Sequence, residues 1–334
     1  IGSELTRQII ELSPKKVVLL DNSESNLYQI ISEIEKLPNK NSNVIAALGD
    51  CCNLEFLNNL FKEEKVDIVF HAAAYKHVPL VEINPINSIE NNVFSTLNIC
   101  IASRKNNLKK VLMISSDKAV RPTNIMGATK RLSEIIVQAF ASDSKIDNQN
   151  KRHLTTCYSM VRFGNVLSSS GSAVPLFIKQ ISSGGPVTLT HHKITRYFMT
   201  IKEAAQLVIQ SSAMSKGGEV FLLDMGKSIK IKDLVIKLIK LSGLQLKDKF
   251  NPNGDIEIKI TGLRPGEKLY EELLIDAETK KTDHPLIFRA NEKYIPISQL
   301  SPKLDYLKKM IIKRNKKITL KILNELVIEW EKSS

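Results

Sequence analysis

KKVLMISSDKAVRPTNIMGATKRLSEIIVQAF, residues 109–140, decides the fold of this chain. Its VLMI run is uninterrupted apolar sequence, as in a parallel strand buried on both faces. Its second half, GATKRLSEIIVQAF, carries apolar residues at helical spacing. Between the two, SSDKAVRPTN leaves the C-terminal end of the strand, where open α/β sheets bind ligands. That loop holds Ser116, Asp117 and Lys118, and the helix holds Lys130. Four residues before Lys130 stands Met126, where a tyrosine would complete a Tyr–Lys proton-handling pair. A thioether cannot pass a proton. Either the chain is catalytically dead or its proton chemistry sits elsewhere, and Ser116, Asp117 and Lys118 are the nearest groups able to supply it.

The same alternation runs outward in both directions. KKVVLLD (15–21), NVIAALGD (43–50) and VDIVFHAAA (66–74) read as earlier strands, and TTCYSMVRFGNV (155–166) as a later one. Amphipathic segments separate them: SNLYQIISEIEKL, NLEFLNNLFKEE and INSIENNVFSTLNICIASRKN. Repeating βα units imply a doubly wound, Rossmann-like parallel sheet covered by helices on both faces. The texture changes near residue 166, where SSSGSAVPLF and ISSGGPVTLT bring the Gly, Ser and Pro of binding loops. The expected division is a dinucleotide-binding domain over 1–166, a substrate lobe mainly over 167–285 with part returning to the sheet, and a C-terminal helical segment over 286–334.

Composition narrows the class. The chain has 334 residues, 43% of them hydrophobic, enough for a real core. No apolar run reaches the length of a membrane span. The formal charge is +13, and much of it lies in KKMIIKRNKKITLK, residues 308–321. Such a surface suits an anionic small molecule or an anionic membrane, and a solvated helix face explains the run as well. Nucleic acid is disfavoured, because aromatics are only 6% and no recognition motif is present. Cys51, Cys52, Cys100 and Cys157 lack metal-site or disulfide-framework spacing and read as reduced cytosolic thiols. No metal site is expected: His71 and His77 have no further ligand at a suitable spacing and read as packing or hydrogen-bonding residues.

The opening IGSEL begins without Met and runs straight into a helical pattern. Gly2 fits the last glycine of a dinucleotide-binding loop, with the first strand and most of the Gly-rich loop absent from the chain. Asp21 ends the next strand 19 residues later, where an acid can hold the adenosine ribose hydroxyls and repel a 2′-phosphate. That favours NAD over NADP, although a strand-end cap would look the same. Asp50 at the end of the following strand is a candidate for the adenine amine, and again for a cap. Ala72, Ala73 and Ala74 let backbone approach a cofactor closely. Without the residues before Ile1, the pyrophosphate would lack its backbone cradle, so the chain as it stands is expected to bind NAD poorly.

Five ordered motifs carry a resemblance over nearly the whole chain: HAAAYKHVPLVE, SSDKAVRPTNIMGATK, VRFGNVLSSSGSAVPLF, ITRYFMTIKEAAQLV and GLRPGEKLYEELL. Within the extended short-chain dehydrogenase/reductases, the chain resembles the CapD-like polysaccharide-biosynthesis nucleotide-sugar 4,6-dehydratases. The resemblance implies NAD held through the turnover, a UDP-sugar substrate, most readily UDP-N-acetylglucosamine, and a 4-keto-6-deoxy product. It makes Asp117 the acid, Lys118 the base, Ser116 a hydrogen-bond partner of the C4 oxygen and Lys130 a ligand of the nicotinamide ribose. Met126 resembles the variant of the larger, membrane-attached members, whose product retains configuration at C5. Further implied cofactor contacts are Cys51, Asn92 and Ser115. Implied substrate contacts are Lys76, Asn165, Arg196, Arg264 and Glu267, and Arg162 falls in the same VRFGNV segment. A homo-oligomer on the cytoplasmic side is implied, with room for inner-membrane attachment through a part upstream of Ile1. Two readings compete: a UDP-sugar C4 epimerase on the same fold, and a non-catalytic subunit that only binds NAD or UDP-sugar.

Overall fold

The computed structural model describes the chain apart from residues 37–41, 150–155, 168, 170, 273–278, 291, 293 and 332–334, and apart from the side chains of 145–149. Thr155, at the start of the last expected strand of the first half, lies outside the described residues. Helix α1 (Gly2–Glu11) is followed by strand β1 (Lys16–Asp21), helix α2 (Glu24–Ile34), strand β2 (Asn43–Leu48), helix α3 (Leu54–Glu64) and strand β3 (Ile68–His71). Ser23 and Asn53 accept from the backbone N–H groups of Asn26 and Phe56 and so cap α2 and α3. A helical run from Pro85 to Lys105, interrupted by one π turn at Glu90–Phe94, leads to β4 (Lys110–Ile114). The long helix Ile125–Gln149 then leads to β5 (Cys157–Arg162).

The fold is α/β and Rossmann-like. β3, β4, β5 and the strand Val220–Leu223 pair in parallel, Ile287–Ala290 pairs antiparallel beyond Val220–Leu223, and Lys280–Lys281 pairs antiparallel beyond that at the edge. Both faces of this sheet are buried, and alternate residues go to different cores. Val111, Met113 and Met160 join the core under the long helix, whereas Leu112, Ile114 and Val161 join the one under the helix Ile201–Met214. That is why VLMI carries no polar alternation.

Two findings refine the expected organisation. β1 and β2 pair in parallel, register Lys16↔Asn43 through Asp21↔Leu48, but as a separate two-stranded sheet. Val220–Leu223 joins the main sheet from within 167–285, and Ile287–Ala290 joins it from beyond 285. The remaining part of 167–285 has its own small core of Phe177, Ile181, Val187, Val235, Ile239 and Ile256. The C-terminal helices Ile297–Ile312 and Lys316–Leu326 pack on the long helix.

Candidate active site

The site grows from the end of β4. Ser115 N–H donates to the Val161 carbonyl (2.7 Å) and Asp117 N–H to the Phe163 carbonyl (3.2 Å), so the backbone still follows the neighbouring chain as it leaves the sheet. A single 3₁₀ turn, Asp117–Ala119, follows, capped by Ser116, whose Oγ accepts from Lys118 N–H (3.2 Å). The long helix starts directly against this turn. At Gly127 an added Cβ would lie 2.2 Å from the Lys118 carbonyl oxygen and 3.0 Å from Pro122 Cβ. The glycine in NIMGATK is therefore required by close packing of helix on turn, which sets where Lys118 stands.

Four charged groups meet here. Asp117 is fully buried, and its Oδ1 accepts from Ser116 Oγ (2.8 Å) and Lys118 Nζ (2.9 Å). Lys118 Nζ also donates to Asn165 Oδ1 (3.3 Å) and lies 3.6 Å from Glu271 Oε1. Arg196 Nε sits 3.6 Å from the same Glu271 oxygen. Among the described residues, Asp117 Oδ2 and Glu271 Oε2 are buried without a hydrogen-bond partner. Burial pulls the Lys118 ammonium down, but Asp117 and Glu271 outweigh it and hold its pKa above the ordinary lysine value. The second carboxylate responsible, Glu271, was not singled out in the sequence. Its only signal was its place four residues after Glu267 in GLRPGEKLYEELL. Burial, the first cause, raises the Glu271 pKa; Lys118 opposes this and Asp117 adds to it.

The residues expected on the cofactor side divide into two groups. Asp21 ends β1 and accepts from Ser23 N–H (2.8 Å), and Asp50 accepts from Cys52 N–H (2.7 Å), so each acid also closes its own turn. Ala72 and Ala74 are half-buried and Ala73 is exposed, leaving backbone accessible beyond β3. Lys130 is buried, and its Nζ donates to the Ile114 carbonyl (2.8 Å), one partner for three donors. Desolvation lowers its pKa to about 8, against the pull of Glu134. These positions suit a ribose at each end of a dinucleotide. Gly2 opens α1 with free space around it, and Cys51 is half-buried beside Asp50.

The side chains of Asn92 and Ser115 are bonded within the protein. The Asn92 amide is occupied by Tyr75 N–H (2.7 Å), the Tyr75 carbonyl (3.0 Å) and Thr129 Oγ1 (2.9 Å), so it ties the HAAAY loop to the long helix instead of offering its side chain to a ligand. Ser115 Oγ donates to Glu134 (2.6 Å) on the buried side. Met126 is 3% exposed and packs in the main core, so its side chain offers no proton path. His71 is buried with Nε2 3.0 Å from Thr96 Oγ1, a hydrogen-bonded core histidine.

On the substrate side, Lys76 and Arg264 are exposed and Asn165 is half-buried against Lys118. Arg196 is only 8% exposed and spends its guanidinium on the carbonyls of Thr195 (2.7 Å), Lys268 (2.8 Å) and Leu269 (3.3 Å). It pins the RPGEKLYE loop against the site. Glu267 accepts from Thr190 Oγ1 (3.0 Å) and from Arg264 N–H (3.1 Å). Arg162 is fully buried, bound to Glu134 (Nε to Oε1, 2.7 Å) and Glu292 (2.8 Å), which removes it from any contact with a diphosphate. Among the described residues no helix is long and apolar enough to cross a membrane.

The chain matches the profile of a known family whose description is polysaccharide biosynthesis protein, over residues 1–292. The chain belongs to that family. It is 46% identical over 285 residues to the capsular polysaccharide biosynthesis protein CapD of Staphylococcus aureus, covering 85% of this chain and 44% of CapD. It thus spans under half the length of that relative. The family member is also 32% identical to a UDP-N-acetylglucosamine 4,6-dehydratase (inverting) of Campylobacter jejuni, over 84% of this chain and 76% of the relative. Among solved structures, Pen from Bacillus thuringiensis superposes with a TM-score of 0.74 at 31% identity, covering 89% of each chain. DesIV of Streptomyces venezuelae, a dTDP-glucose 4,6-dehydratase solved with NAD, shares the fold at a TM-score of 0.66 and 18% identity, over 81% of this chain and 84% of that one.

Proposed function

We propose that this chain is the catalytic part of an NAD-dependent UDP-N-acetylglucosamine 4,6-dehydratase that retains configuration at C5. The observation that carries the reading is Asp117 beside Lys118 at the C-terminal end of β4, facing Asn165 and Glu271. Dehydration needs one acid and one base side by side. NAD would supply the hydride acceptor for C4 and the donor for C6, held by Asp21, the backbone of Ala72 to Ala74, and Lys130.

The chain's own groups handle the protons. Asp117 receives the proton of the C4 hydroxyl on Oδ2, which has no partner among the described residues. The C4 ketone acidifies C5, and Lys118 removes that proton. Asp117 then protonates the departing C6 oxygen, and water leaves. Lys118 returns its proton to the face from which it took it, which gives retention. Ser116 and Asn165 orient the pair, and Lys76, Arg264 and Glu267 lie toward the UDP end. Met126 removes one proton handler and leaves the acid–base pair intact. An assembly of identical subunits on the cytoplasmic side belongs to the same reading, and light scattering tests the assembly.

The experiment is turnover of UDP-N-acetylglucosamine with NAD in heavy water, by the protein at its full natural length. Loss of one water with deuterium at C5 supports the dehydratase, and the proton couplings give the C5 configuration. Unchanged mass with inversion at C4 makes it an epimerase. NAD and UDP binding without turnover leaves a binding subunit.

A further inference from the structure

Residues 308–321, KKMIIKRNKKITLK, hold seven lysine and arginine side chains and no carboxylate. In the structure they form the tip of the C-terminal helical hairpin. Helix Ile297–Ile312 ends there, residues 313–315 turn, and helix Lys316–Leu326 starts back. Arg314 holds φ +54° in that turn, and its Nη1 donates to Asn87 Oδ1 (2.7 Å), which ties the tip to helix Pro85–Ile89. All seven cations are exposed. Among the described residues, Lys308, Lys309, Lys313, Lys316 and Lys317 lie in no ion pair, and Lys321 reaches only Glu325, at 3.9 Å.

Fold stability does not account for this pattern. Lys309 suits the negative end of the first helix, but Lys316 and Lys317 occupy the first turn of the second. That is the positive end of its dipole, where carboxylates stabilise and cations do not. Lys317 and Lys321, four apart on one helix face, repel each other. Water alone would be met as well by charges of mixed sign. Nor does packing explain Ile312, which is 70% exposed among these lysines while Ile311 beside it is buried. Ile83, 71% exposed, stands just before the helix to which the tip is bonded.

We infer that the hairpin tip is a docking surface for an anionic lipid bilayer. A bilayer presents phosphate headgroups at no fixed spacing, and six lysines and one arginine on flexible stems follow such a surface as point charges. The stems lie along the interface with their charged ends at the headgroups, and Ile312 enters the apolar boundary beneath. Nucleic acid offers phosphates too, but no aromatic side chain occurs between 308 and 321 to stack on a base. The contact is electrostatic and reversible, and it is independent of the dehydratase reading.

Flotation of the 334-residue chain with vesicles tests this. Vesicles of equal parts phosphatidylglycerol and phosphatidylcholine should carry the protein at about 0.1 M salt and release it at about 0.5 M, as screening tightens. Phosphatidylcholine alone should carry none. The triple variant Lys313→Gln, Lys316→Gln, Lys317→Gln should bind about 100-fold more weakly, about fivefold per cation. A second triple variant, Lys232→Gln, Lys237→Gln, Lys240→Gln, removes the same charge from exposed positions of helix Ile231–Leu241 and should bind like the wild type. Ile312→Trp should shift its fluorescence to the blue on the anionic vesicles, since the one native tryptophan, Trp330, is already buried. Absence of flotation, or equal flotation on phosphatidylcholine, overturns the inference. Equal weakening of the two triple variants overturns it as well, because total charge and not the tip would then govern binding. Tighter binding of a duplex oligonucleotide than of vesicles, lost in the first triple variant, would assign the tip to nucleic acid instead.

Discussion

At the scale of single residues, the site is a contest between burial and charge. Lys118 and Lys130 are both lysines near the end of β4, yet they shift in opposite directions. Two carboxylates face Lys118, whereas Lys130 meets a carbonyl oxygen in a largely apolar setting. The folded Lys130 pKa of about 8 lies below its free value of 10.5, so the unfolded chain binds more protons between those limits. Stability from this residue therefore rises as pH climbs from about 8 toward 10.5. Urea midpoints across that range should approach those of Lys130→Met as pH rises; a constant difference between the two proteins would refute the shift. Lys118→Ala should abolish turnover while UDP titration still reports binding; full activity in the variant would remove Lys118 from the chemistry. Behind the site, Glu134 is fully buried and bound to Arg162, Arg131 and Ser115. Glu134→Ala leaves those guanidiniums without that carboxylate and should cost about 3–5 kcal/mol in denaturant unfolding, the cost of breaking a buried pair from one side.

Elements position the chemistry by close approach. The long helix begins at Ile125, beyond the loop that follows Lys118, and Gly127 allows it to touch the 3₁₀ turn. Gly127→Ala puts a methyl 2.2 Å from the Lys118 carbonyl oxygen, so turn and helix must separate. A steady-state assay should show kcat falling and UDP affinity weakening with it, since the RPGEKLYE loop is anchored on Thr123 and Asn124 beside the displaced helix start. Gly266 plays the matching part on the second half. It holds φ +74°, and its carbonyl accepts from Thr123 Oγ1 (2.8 Å) and Asn124 Nδ2 (3.1 Å). The RPGEKLYE loop is thereby joined to the segment between the Asp–Lys turn and the long helix, which brings Glu271 to Lys118.

The whole molecule depends on its C-terminal helices. Leu300, Leu304, Leu307, Leu323 and Leu326 enter the same core as Val111, Met113 and the long helix. That segment is a structural layer of the sheet domain, and its exposed opposite face carries the lysines. Leu323→Ala, at a fully buried position, should destabilise the fold by about 2–5 kcal/mol in equilibrium unfolding, with m unchanged. A shift much below 1 kcal/mol would show that the pair is only loosely attached.

The sequence by itself determined the α/β class, because VLMI and its neighbours are apolar without alternation and are separated by helical periodicity. It also determined the Asp117–Lys118 pair, since residues adjacent in the chain at a strand end are adjacent in space. Helix ends were legible where a local cap sets them, as at Ser23 and Asn53. Contacts across long separations were not legible. Nothing local pairs Arg162, in the VRFGNV segment, with Glu134 and Glu292, or Arg196, an implied substrate contact, with the loop carbonyls at 268 and 269. Glu271 lies 153 positions from Lys118 in the chain, and no local pattern brings them together. Only the tertiary structure decided those partners, because a buried charge takes its role from whichever opposite charges the packing places within about 4 Å of it.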